Sequence, residues 1–143
     1  MKKAVLILLF LMFSTNIAIA KDIKQLTLSA ERGVASAQRE LGYCYYNGYD
    51  IPKNYKQAAY WFQKAAEQGD GSGQYMLGTC YEKGNGVPQN NKLAYMWFSI
   101  SSTKFPDPSL VRYKLSGLEN EMTKAQIEEA QEMAAKKYET LKK

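Results

Sequence analysis

The chain has 143 residues, 19 Lys or Arg against 14 Asp or Glu, a formal net charge of +5 and no histidine. The missing imidazole removes the commonest general base and metal ligand and excludes Ser-His and Cys-His catalysis. The length suits a single domain, and the charge is too small and too dispersed for a nucleic-acid-binding face.

Residues 1–20 read as a secretory leader. Lys2 and Lys3 form a positive start, Ala4 to Phe13 is an unbroken apolar run, and Ala18-Ile19-Ala20 places small residues where a signal peptidase reads them. A membrane-spanning helix needs about 20 apolar residues, so no stable membrane anchor is expected from this shorter run. Cleavage after Ala20 leaves 21–143 as the mature domain, with 17 basic and 14 acidic residues and a net charge of +3. The protein is expected to be exported, to the periplasm of a Gram-negative cell or beyond it.

The mature chain is built on a repeat. Set against 67–102, residues 31–66 share Glu31/Glu67, Gly33/Gly69, Ser36/Ser72, Gln38/Gln74, Leu41/Leu77, Gly42/Gly78, Cys44/Cys80, Tyr45/Tyr81, Gly48/Gly84, Pro52/Pro88, Asn54/Asn90, Lys56/Lys92, Ala58/Ala94, Trp61/Trp97 and Phe62/Phe98. A fixed period of this size marks a solenoid or array.

In chain order, Leu26 and Ala30 stand where the repeat has Phe62 and Ala66, so 22–32 reads as the second helix of an incomplete leading unit. Ala37, Leu41, Gly42, Cys44 and Tyr45 then lie on one face of a helix that Gly48 closes. Pro52 marks a connection, after which Ala58, Trp61, Phe62, Ala65 and Ala66 form the inner face of a second helix. Gly69 stops that helix and Asp70 caps the next. The following unit repeats the pattern through Gly84, Gly86 and Pro88. Gly42 and Gly78 each cost about 1 kcal/mol in a helix relative to alanine, which predicts close approach of a neighbour carrying Trp61 or Trp97. Asp107 then caps a helix with Pro108 at its first position, lined by Leu110, Val111, Leu115, Leu118 and Met122. Thr123 and Gln126 make a capping box for a last helix that keeps Ile127, Ala130, Ala134, Tyr138 and Leu141 on one side. The units fall at about 33–68 and 69–104, with C-terminal capping helices over 108–141.

Catalytic signals are sparse. Cys44 and Cys80 are equivalent residues of successive units, roughly 8–10 Å apart if their helices pack side by side. A disulfide needs α-carbons closer than about 7 Å, so two buried free thiols are expected. Ser101-Ser102-Thr103-Lys104 fits the S-x-x-K of penicillin-recognising serine enzymes, but no K-T-G element accompanies it. The carboxylates Glu119/Glu121 and Glu128/Glu129/Glu132 read as solvated helix faces. No cofactor or metal is implied.

The two units resemble Sel1-like repeats, relatives of the tetratricopeptide repeat. The family pattern A-x-x-L-G-x-x-Y-x-x-G-x-G-V, followed by A-x-x-W-[FY]-x-x-A-A-x-x-G, is met by "ELGYCYYNGYDIP" and "MLGTCYEKGNGVP" and by the Trp-Phe pairs. The first unit departs at Gly48-Tyr49-Asp50-Ile51, and the second has Ser101-Ser102 for the paired alanines. The segment "MTKAQIEEAQEMAAKKY" is similar to the closing helix of many secreted members. The resemblance implies an all-α fold, a right-handed α-solenoid of helix-turn-helix repeats with about seven helices. It implies an interaction platform rather than an enzyme, as an adaptor or regulator. Some relatives carry a disulfide in each repeat, whose cysteines would fall near Ala66 and Gln74 here. Cysteine-rich relatives make a penicillin-binding or β-lactamase-like enzyme the alternative.

In a helix-pair solenoid the first helices of successive units line the concave side. The positions between core positions therefore face a ligand: Arg39, Tyr43, Tyr46 and Asn47 in the first unit, Tyr75, Thr79, Glu82 and Lys83 in the second, with Ser36 and Ser72 beside them. Tyrosine and arginine dominate binding hot spots. The expected partner is another protein, docking a peptide or a helix in this groove.

Overall fold

A computed structural model describes residues 22–142; the leader expected over 1–20, with its cleavage after Ala20, lies outside them. Among the described residues there are helices and no strand. Helix α1 occupies 22–31. It is followed by α2 (Ala35–Asn47), α3 (Tyr55–Glu67), α4 (Gly71–Lys83), α5 (Asn91–Ser101), α6 (Pro108–Glu121) and α7 (Lys124–Leu141). The architecture is an all-α solenoid: α2 with α3 and α4 with α5 form the two-helix units, α3 packs on α4, and α6 and α7 both pack on α5.

Local chemistry sets the boundaries. The N–H of Gly48 and of Gly84, both in the left-handed region, donates to the carbonyls of Cys44 and Cys80 to end α2 and α4. Asp70 accepts from Gly73 N–H, Asp107 accepts from Ser109 and Leu110 N–H ahead of Pro108, and Thr123 with Gln126 forms the capping box. The second helices start on a device that periodicity did not reveal. Asn54 and Asn90, identical between units, accept from Gln57 N–H and Leu93 N–H.

The glycines inside α2 and α4 seat a ring, but not the expected one. A Cβ on Gly42 would lie 2.7 Å from the Phe62 ring, and one on Gly78 would lie 2.9 Å from the Phe98 ring. Both phenylalanines have no exposed surface. Helix-to-helix approach within each unit therefore rests on a Gly–Phe pair, one residue beyond the tryptophan. Trp97 is buried, whereas Trp61 is only half-buried, set against Ala30, Ala37 and Leu41. Among the described residues, the leading unit supplies only α1 to cover it.

A second repeated device joins the units. Gln38 donates to the carbonyl of Ala30 at 3.0 Å and Gln74 to that of Ala66 at 3.2 Å. Each buried glutamine thus adds a second donor to a carbonyl at the end of the helix before it, beside the Gly33 or Gly69 N–H that the same oxygen already accepts. Arg39 adds an ion pair to the α4 cap, 2.9 Å to Asp70.

The cysteines are both free; Cys80 is buried but Cys44 is half-buried. The expectation of two buried thiols is corrected for Cys44: among the described residues α2 has only α1 before it, where α4 has the α2–α3 pair. Burial pushes the Cys80 thiol up to about 12, and burial with Glu40 and Asp50 nearby raises that of Cys44. Both shifts disfavour the thiolate, which is the nucleophilic form. Treatment of the folded protein with a thiol-reactive dye at pH 8 should modify Cys44 slowly and leave Cys80 untouched until denaturant is added. Native-state modification of Cys80 at the rate of a free thiol would contradict the packing of α4.

Candidate functional site

The expected groove residues divide into an open half and a covered half. On α2, Arg39, Tyr43 and Tyr46 are partly exposed and Asn47 is exposed. The Tyr43 ring meets Phe62 edge-on at 5.3 Å. Tyr46 lies edge-on to Tyr55 at 5.2 Å, and its hydroxyl accepts from Asn85 Nδ2 at 3.0 Å. Asn47 Nδ2 donates to the Tyr43 carbonyl at 3.1 Å. Desolvation raises the Tyr43 and Tyr46 hydroxyls above their ordinary range, so both stay neutral hydrogen-bonding groups.

On α4 the expectation fails for two residues. Tyr75 and Thr79 are buried, not open to a ligand. The reason is the return of the chain after α5. Phe105 stacks on Tyr75 with centroids 4.3 Å apart, and the Thr79 hydroxyl turns inward to the Tyr75 carbonyl at 3.1 Å. Helix α6 then draws Glu82 into an ion pair with Lys114 at 2.6 Å, and Lys114 also lies over the Phe98 ring. Lys83 stays exposed. The structure therefore gathers Arg39, Tyr43, Tyr46 and Asn47 with Asn85, which sequence reasoning missed because it lies in the turn after α4. It does not join Tyr75 to them as an open surface.

Ser101 of the S-x-x-K string has no exposed surface, and its hydroxyl donates to the Phe98 carbonyl at 2.8 Å. A substrate cannot reach it without unpacking α5. No described helix is long and apolar enough to cross a membrane.

The Sel1 repeat family matches residues 35–70 and 71–104. Among solved structures, c5321, a protective antigen present in uropathogenic Escherichia coli strains and displaying an SLR fold, superposes with a TM-score of 0.77 at 31% identity. That match covers 83% of this chain and 25% of c5321. The Sel1 repeat protein of Oxalobacter formigenes superposes with a TM-score of 0.56 at 33% identity, covering 57% of this chain and 63% of that one. The chain therefore spans about a quarter of c5321 and less than two thirds of the second protein. No curated protein sequence matches it.

Proposed function

The chain is a Sel1-repeat protein, and from that premise we propose that it is an exported adaptor capturing a partner protein on the open part of its α2 face. Sel1-repeat proteins are generally protein–protein interaction modules and typically non-enzymatic scaffolds. The observation that carries the reading is the state of the two tyrosine rings. Tyr43 and Tyr46 are partly exposed, yet Phe62 and Tyr55 hold them at fixed edges. Rings ordered in advance offer contact area without losing rotamer freedom on binding. Arg39 and Asn47 at the same face add charge and hydrogen bonds that set the register of an extended peptide or helix. Export is supported by the leader pattern over 1–20, and the antigenic character of c5321 fits it.

The test is capture of crosslinked partners from intact cells by the protein and by a Tyr43→Ala/Tyr46→Ala variant. Loss of roughly tenfold or more in captured partner, with an unchanged circular dichroism spectrum, is the expected outcome for hot-spot tyrosines. Equal capture by both proteins removes the α2 face from consideration. Cell fractionation checks the exported location separately.

A further inference from the structure

The repeat leaves one polar atom unanswered. In the first unit, Gln38 Nε2 binds the Ala30 carbonyl and Gln38 Oε1 accepts from Gln68 Nε2 at 2.6 Å. In the second, Gln74 Nε2 binds the Ala66 carbonyl, but Gln74 Oε1 has no partner although the residue is only 2% exposed. The difference is one substitution: the residue equivalent to Gln68 is Lys104, 36 positions later. Its ammonium lies over Gly69 instead of on Gln74, 3.1 Å from where a Gly69 Cβ would stand. A buried carbonyl oxygen without a donor is costly to keep, so a donor that reached it would bind favourably.

Gln74 lines a cavity of about 210 Å³ together with Gly69, Thr103, Lys104, Leu141 and Lys142. Through Ile100, Thr103 and Tyr138 this cavity continues into an apolar cleft of about 290 Å³ that also involves Ser99, Ala134 and Ala135. The cleft lies between the end of α5 and α7. One half thus offers two ammonium groups and an unpaired acceptor, and the other offers apolar walls. Lys142 is also paired to Glu139 at 3.1 Å, so of these two lysines it is Lys104 that has no ion-pair partner among the described residues.

We infer that this cleft receives the carboxy-terminal residue of a peptide. The terminal carboxylate pairs with Lys104 and Lys142, the last amide N–H donates to Gln74 Oε1, and an apolar side chain lies against Ile100, Ala134 and Tyr138. Oε1 is shielded from solvent in the free protein, so this contact forms only as the side chains around it part to admit the ligand. A terminal residue carries the anion and the donor one bond apart from the same α-carbon, the arrangement that the two halves require. The site is separate from the α2 face, and neither reading depends on the other.

Amide NMR spectra of the protein titrated with N-acetyl-leucine test it. The expected result is saturable shifts at the Gln74 side-chain amide, Ile100 and Tyr138, unchanged in the Tyr43→Ala/Tyr46→Ala variant. N-acetyl-leucinamide, which lacks the carboxylate, should bind at least about tenfold more weakly, the loss of a charge-assisted contact of about 1.4 kcal/mol. Lys104→Gln restores the first unit's arrangement, in which glutamine answers glutamine; it should abolish the shifts while leaving the melting temperature equal or higher. Ala135→Trp, at an exposed position, should block the apolar half. Absence of shifts at about 10 mM ligand, a range where even weak millimolar binding registers, overturns the proposal. Equal binding of N-acetyl-leucinamide, tighter binding of free leucine, or undiminished binding by Lys104→Gln does so as well.

Discussion

Gly86→Ala is expected to destabilise the protein by about 3–5 kcal/mol, from a strained backbone and an overlap that cannot relax. Gly86 has φ +79, and a Cβ there would lie 2.1 Å from the Tyr55 carbonyl oxygen and 2.7 Å from Lys56 N. Those are backbone atoms at the start of α3, so relief requires the loop after α4 to move away from the preceding unit. Gly33→Ala separates the two causes. Gly33 has φ +89 with nothing within 4 Å of a Cβ, so it carries the strain alone, about 1–2 kcal/mol. Urea unfolding followed by circular dichroism gives both values. If Gly86→Ala proves no worse than Gly33→Ala, the close contact between units is wrong. In the first unit, Asp50 occupies the equivalent position at φ 60.

Phe98→Ala should cost about 3–5 kcal/mol, the range for deleting a fully buried phenyl ring. The ring has no exposed surface and lies against Gly78, with Tyr75 tilted onto it at 5.3 Å and the Lys114 ammonium on its face. It therefore joins α4, α5 and α6. Gly78→Ala should also destabilise, because overpacking at about 1–3 kcal/mol outweighs the roughly 1 kcal/mol that alanine gains in a helix. The decisive measurement is the double-mutant cycle with Phe98→Leu. The smaller side chain makes room for the methyl group, so the combined loss should be about 1 kcal/mol less than the sum of the single losses. Strict additivity would falsify the Gly–Phe contact. Gly117→Ala serves as a control in the opposite direction: nothing lies within 4 Å of its Cβ position, so stability should rise by up to about 1 kcal/mol.

Much of the candidate site was legible before any coordinates. Tyr43, Tyr46, Arg39 and Asn47 follow from helical spacing on α2, because the positions between core residues of an amphipathic helix face outward. The covering of Tyr75 and Thr79 was not legible. Their spacing on α4 is the same as on α2, and periodicity names the outward side of a helix without saying whether a later segment returns to it. The Gly–Phe pairing was half legible: the glycines announced a close neighbour, but Trp61 and Phe62 are adjacent on a helix, and only packing decides which ring enters the gap.

What the amino-acid sequence determined by itself was the repeat, the helices and most of their ends. Those depend on local chemistry, on glycines in left-handed turns, on Asp107 and Thr123 capping the orphan N–H groups nearest them, and on apolar residues a turn apart. Only the tertiary structure decided that α6 and Phe105 fold back over α4, that Gly86 meets the backbone of α3, and that Lys104 leaves Gln74 Oε1 unpaired. Each of these joins atoms from elements distant in the chain. An apolar stripe drives a helix to bury area but is indifferent to which surface buries it, and that choice is made only when all the elements compete for the same space.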